Sequence, residues 1–171
     1  MESNKSDNII LIGMPASGKS TVGVILAKVM GMGFVDTDLV IQHRENALLC
    51  DIQSRRGLSE FMRCEEEAVL SIRPERSVIA TGGSVVYSDK AMQYLKSIGT
   101  IVYLKVDKQV LFRRLRNIKE RGVVLKDGET LDMVYDSRSV LYEKYADVVV
   151  EEKDASVEMK VESIRRLLSN E

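Results

Sequence analysis

At 171 residues, with 44% hydrophobic and 30% charged side chains, the chain has the size and balance of one soluble globular domain. A formal net charge of −1 excludes the basic field of a general nucleic-acid binder, and two cysteines make neither a disulfide framework nor a spaced metal site. The apolar run at residues 9–12 is too short for a secretory leader or a membrane span, so a cytoplasmic protein with no membrane partner is expected; no nucleic-acid partner and a monomeric state are the accompanying expectations.

Residues 1–7 are polar and read as a flexible extension; residues 8–171 read as one domain. Asn8-Ile9-Ile10-Leu11-Ile12 reads as a buried strand, and residues 21–30 as a helix closed by Gly31 and Gly33. Between them lies Gly13-Met14-Pro15-Ala16-Ser17-Gly18-Lys19-Ser20, the spacing G-x-x-x-x-G-K-[ST] in its required strand-to-helix context. Successive backbone N–H groups and a helix N-terminus there hold an anion. Gly13, Ala16, Ser17, Gly18, Lys19, Ser20 and Thr21 are therefore the candidate nucleotide-binding residues. Lys19 reaches the outer phosphates, and the Ser20 hydroxyl can ligate Mg²⁺.

Phe34-Val35-Asp36 reads as a second strand, closed by Asp36 and Asp38 with one residue between them. Two carboxylates beside a nucleotide can serve Mg²⁺ and accept a proton from a substrate hydroxyl; capping of the next helix is the competing reading. Short helices follow at 39–45 and 50–55, then a longer one at 58–72 that ends before Pro74. His43 falls on a polar face, and Cys50 and Cys64 are expected as buried or half-buried free thiols.

Residues 78–81 read as a strand running into Gly82-Gly83, where backbone can approach a ligand closely. A helix at 89–97, a strand at 101–104 and a basic helix at 108–117 carrying Arg113, Arg114 and Arg116 come next. Residues 118–129 have weak periodicity and read as a lid whose Arg121 can fold over a γ-phosphate. A helix at 130–145 carries Arg138, and a strand at 147–150 and a helix at 155–168 complete the chain. Apolar strand runs alternating with helices indicate an α/β fold with a parallel sheet covered on both faces. The loops at 13, 36–38 and 81–84 then share the crevice at the strands' carboxyl ends.

Gly13 to Thr21, Asp36-Thr37-Asp38, Phe61-x-x-x-Glu65 after Gly57, Thr81-Gly82-Gly83, Arg121, and Arg138 followed by Leu141-Tyr142 fall in an order and spacing that resembles the shikimate kinase family. The resemblance covers essentially the whole chain beyond residue 8. It implies a nucleoside-monophosphate-kinase-like fold with a five-stranded parallel sheet of order 2-3-1-4-5, substrate-binding helices at about 37–72 and a lid at about 118–130. It also implies transfer of a phosphoryl group from Mg²⁺-ATP to a hydroxyl of shikimate. By position, Lys19 and Ser20 serve phosphates and metal, Asp36 joins the metal shell, and Asp38 binds the accepting hydroxyl as base. Arg121 becomes the lid arginine, Arg114 the adenine-stacking residue, and Arg138 a contact to the substrate carboxylate.

Two departures fall on the acceptor side. The family motif reads Phe-Arg-x-x-Glu, with the arginine on the substrate carboxylate, where this chain has Phe61-Met62-Arg63-Cys64-Glu65. Arg63 is one helical step away, about 100° around the axis, and Glu65 loses the partner that the family supplies. The second departure is Ser84, which follows Gly82 and Gly83 where the family usually has a third glycine; the lid also reads Arg121-Gly122-Val123 without the usual proline. Met62, Arg63, Gly82, Gly83, Ser84 and Arg138 are thus the acceptor-side candidates beside Asp38. The alternatives are a related kinase for another small hydroxylated acid, amino acid or sugar acid, and a non-catalytic nucleotide-binding module.

Overall fold

A computed structural model of the chain describes residues 7–116, 125–151 and 155–169. Five strands form one parallel sheet: β1 (Asn8–Ile12), β2 (Gly33–Asp36), β3 (Ser77–Ala80), β4 (Gly99–Lys105) and β5 (Val148–Glu151). Their order is β2-β3-β1-β4-β5, the 2-3-1-4-5 arrangement expected. β1 is buried at every position because helices cover both faces, which is why it reads as an unbroken apolar run.

One face packs Ile10, Ile12, Ile79, Ile101 and Tyr103 against α5 (Asp89–Ile98) and α7 (Leu131–Tyr145). The other packs Ile9, Leu11, Val78, Val102 and Leu104 against α1 (Lys19–Met30) and α8 (Val157–Ser169). α2 (Thr37–Glu45), α3 (Leu49–Arg56) and α4 (Leu58–Ser71) share a further small cluster of Ile41, Ile52, Phe61, Cys64 and Ala68, while Val69 of α4 packs into the main core beside α5. Burial of each large member contributes about 1.5–3 kcal/mol, enough to fix the helices that carry the acceptor side. α6 (Lys108–Arg116) completes the set before residues 117–124.

Three sequence expectations change. Asp38 does not end a strand: β2 stops at Asp36, whose carboxylate caps α2 by accepting from the Asp38 amide at 3.0 Å, and Asp38 lies in the first helical turn. A 3₁₀ turn at Val85–Tyr87, unsignalled in the sequence, follows Ser84. Cys64 is buried as expected, but Cys50 is exposed near the start of α3. His43 is exposed, as its polar neighbours imply. Residues 1–6 of the extension and 118–124 of the lid lie outside the described residues.

Candidate active site

Order β2-β3-β1 brings the loops after these three strands side by side, and they open on one cleft of about 920 Å³. Its walls include Ala16, Gly18, Lys19, Ser20, Thr21, Asp36, Asp38, Gly82, Gly83, Ser84 and Arg138. The phosphate loop and the acceptor candidates therefore face a common space.

On the nucleotide side, Gly18 takes the left-handed conformation (φ 96°) that lets the loop turn its amides inward before α1 begins. The Lys19 ammonium is buried and donates to the carbonyls of Gly13 and Met14, each at 2.8 Å, and to Ser17 Oγ at 3.4 Å. Desolvation brings its pKa down to about 8, partly offset by the charges of Asp38 and Asp36. The Ser20 hydroxyl donates to Asp36 Oδ2 at 2.7 Å. These two hard oxygens fit Mg²⁺, which needs one or two protein oxygens and takes the rest from phosphates and water. No group of three or more His, Cys, Asp or Glu residues forms a metal cage among the described residues. Arg114 reaches back over the loop, its guanidinium 3.4 Å from the Ala16 carbonyl. Arg121 lies outside the described residues.

On the acceptor side, Arg138 is 1% exposed on α7 and donates from Nε to the Tyr87 hydroxyl at 3.1 Å, its guanidinium 5.1 Å from the Tyr87 ring centre. The Tyr142 hydroxyl holds the Gly83 carbonyl at 2.5 Å. Gly82 shows why a glycine is required: a Cβ there would stand 2.1 Å from Glu65 Oε1 and 3.2 Å from Asp38 Oδ1. The two carboxylates thus converge over its Cα.

Met62 and Arg63 do not line this cleft. They border a smaller cavity of about 220 Å³ between α4 and the 3₁₀ turn, with Glu65, Glu66, Ser84, Val85, Tyr87 and Ser88. Arg63 points outward, its guanidinium paired with Glu60 at 2.5 Å and with Glu67. These helical neighbours at i−3 and i+4 hold it on the exposed face of α4. Glu65 has instead found Ser84: the hydroxyl donates to Oε2 at 2.6 Å. Glu65 is 2% exposed, and burial pushes its pKa up to about 7, with the Asp38 charge adding to the rise and the Ser84 bond and the charges of Arg138 and Lys19 opposing it.

One site residue, Tyr87, was not singled out in the sequence: it orients Arg138 from a turn that has no periodic signature. Glu65, noted in the sequence for its missing partner and not named among the acceptor-side candidates, lines the cleft itself.

Fold and cleft together define a P-loop kinase with the nucleoside-monophosphate-kinase sheet order and an acceptor pocket beside the phosphate loop. The family model described as shikimate kinase matches residues 15–169. The shikimate kinase of Thermodesulfovibrio yellowstonii is 38% identical over 160 residues, 92% of each chain. That of Aquifex aeolicus is 31% identical over 163 residues, 95% of this chain and 96% of the relative. The structure of the Acinetobacter baumannii shikimate kinase in complex with shikimate superposes with a TM-score of 0.86 at 26% identity, covering 99% of this chain and 96% of the other. The chain belongs to the shikimate kinase family. It is a P-loop phosphotransferase whose phosphoryl donor is ATP with Mg²⁺.

Proposed function

We propose that this chain phosphorylates shikimate at a ring hydroxyl, giving shikimate 3-phosphate, and that it does so as a monomer in the cytoplasm. The observation that carries the reading is the convergence of Lys19, Asp38 and Arg138 on one cleft. Lys19 is placed to exchange its bonds to the Gly13 and Met14 carbonyls for the β- and γ-phosphates. Arg138 has the burial and fixed orientation suited to a carboxylate, since its fork is pre-aligned by Tyr87. Asp38 is then the base: it takes the hydroxyl proton as the new O–P bond forms and the bond to the ADP oxygen breaks. Ser20 and Asp36 would hold Mg²⁺, which when bound neutralises phosphate charge. Arg114 and Arg121 are assigned to the nucleotide, the latter as the lid arginine.

Transfer here rests on positioning and charge stabilisation rather than covalent catalysis. A second reading, a kinase for another small hydroxylated acid, draws on the outward-facing Arg63 and on Met62 outside the cleft. ADP release measured with shikimate and a panel of small hydroxy acids, with Lys19→Ala as blank, separates the two. Saturable turnover that is strongest with shikimate is expected. Turnover confined to another acid would replace the first reading with the second.

A further inference from the structure

Glu65 is a carboxylate with one oxygen bonded and one not. Oε2 accepts from Ser84, whereas Oε1 is buried and has no hydrogen-bond partner among the described residues. A buried polar atom left unpaired costs free energy, and persistent exceptions cluster where a ligand completes the bond. Oε1 is also directed: it lies over the Cα of Gly82, beside Asp38 Oδ1, in the wall of the acceptor cleft. In a protein with arginine at position 62 such a carboxylate has a cation to hold. Here that position is methionine, and the nearest arginine in sequence, Arg63, is engaged by Glu60 and Glu67.

We propose that Glu65 binds the acceptor directly: Oε1 accepts a hydrogen bond from a second donor, a hydroxyl or an ammonium, adjacent to the hydroxyl that Asp38 presents for phosphorylation. Ser84 is the positioning residue, fixing the carboxylate through Oε2 so that Oε1 faces the cleft. The inference rests on the proposed reading of Asp38 as the acceptor-hydroxyl residue. It assigns an acceptor with three recognised groups: a carboxylate for Arg138, the reacting hydroxyl for Asp38 and a neighbouring O–H or N–H for Glu65. A ring with adjacent hydroxyls and an aliphatic hydroxy-amino acid both have this chemistry.

The test compares matched pairs of acceptors. One pair is shikimate and its analogue lacking the hydroxyl next to the phosphorylated one. The other is L-homoserine and 4-hydroxybutyrate, which differ by the ammonium. kcat/KM is measured for wild type, Glu65→Gln and Ser84→Gly, with the KM for ATP as a control. In wild type, one pair should show at least tenfold preference for the member with the extra donor. That preference should collapse to within threefold in Glu65→Gln and shrink in Ser84→Gly, with the KM for ATP unchanged. Damage that is merely structural lowers both members of a pair alike and leaves the ratio intact. A ratio that survives Glu65→Gln, or a wild type that shows no preference in either pair, overturns the inference. Preference only in the homoserine pair, lost in Glu65→Gln, supports it with an ammonium as the second donor.

Discussion

The Ser84 hydroxyl and the Glu65 carboxylate meet at 2.6 Å across the gap between the 3₁₀ turn and α4. The chain's two acceptor-side departures from the family pattern, Met62 and Ser84, are therefore linked through Glu65. Where the arginine at 62 is missing, the serine at 84 supplies the bond. Replacing Ser84 by alanine leaves Oε2 as a second unpaired buried oxygen, which costs about 1–3 kcal/mol. For a domain of this size that is a fall in Tm of roughly 2–10 °C. Calorimetry of Ser84→Ala checks it; an unchanged Tm would mean that the bond contributes nothing net.

Glu65 also makes stability depend on pH. Its pKa rises from an ordinary 4.5 to about 7 on folding because burial disfavours the charge. Between these values the folded chain keeps a proton that the unfolded chain releases, so this group's contribution to stability declines as pH rises through about 4.5–7 and stays low above 7. The decline is on the order of 3 kcal/mol. In Glu65→Gln it is absent, so denaturant midpoints of variant and wild type should diverge from pH 5 to pH 7.5, the variant being the more stable at the upper end. Parallel curves would contradict the burial argument.

Lys19 makes nucleotide binding depend on pH. Desolvation lowers its pKa from 10.5 to about 8, and bound phosphates restore the charge. The KM for ATP should therefore climb as pH rises above 8, approaching tenfold per unit once Lys19 is neutral in the free protein, while Lys19→Met shows no such climb in residual ATP binding. Titration of ATP affinity by calorimetry from pH 7 to pH 9.5 follows this directly, and a flat profile for wild type would be inconsistent with it.

Tyr87 offers a separate handle on the acceptor side. Its hydroxyl accepts from Arg138 Nε at 3.1 Å, so Tyr87→Phe removes one bond of the orienting pair and keeps the ring. The KM for the acceptor is expected to rise about three- to tenfold, with kcat and the KM for ATP little changed. Arg138→Lys abolishes the fork and costs about 2–5 kcal/mol, or 30-fold to several thousandfold in kcat/KM. If Tyr87→Phe lowers kcat and leaves the acceptor KM alone, Arg138 is not the group that Tyr87 serves.

Much of this architecture was legible in the sequence because it rests on local rules. The strand-loop-helix context of Gly13–Ser20 and the alternation of apolar runs with helices specify the parallel sheet, and the sheet specifies which loops meet. Asp38 was legible as a candidate but misplaced by one element, since Asp36 can end a strand and cap a helix at once. The Ser84–Glu65 bond was not legible, because it joins residues 19 apart that only the packing of α4 on the 3₁₀ turn brings together. Tyr87 escaped for the same reason, as its value lies in contact with a residue 51 positions away. Arg63 was open in the sequence; the structure pairs it with Glu60 and Glu67 on the exposed face of α4.

The central claim is that the cleft over Asp38 passes a phosphoryl group from ATP to a shikimate hydroxyl. Incubation of wild type and Asp38→Asn with Mg²⁺-ATP and shikimate, followed by ³¹P NMR, tests it without a coupling enzyme. The account predicts a phosphate monoester of shikimate formed in step with ADP by wild type, and a rate about 10²–10⁴-fold lower for Asp38→Asn. ADP accompanied by inorganic phosphate alone, or equal ester formation by the two proteins, would contradict it.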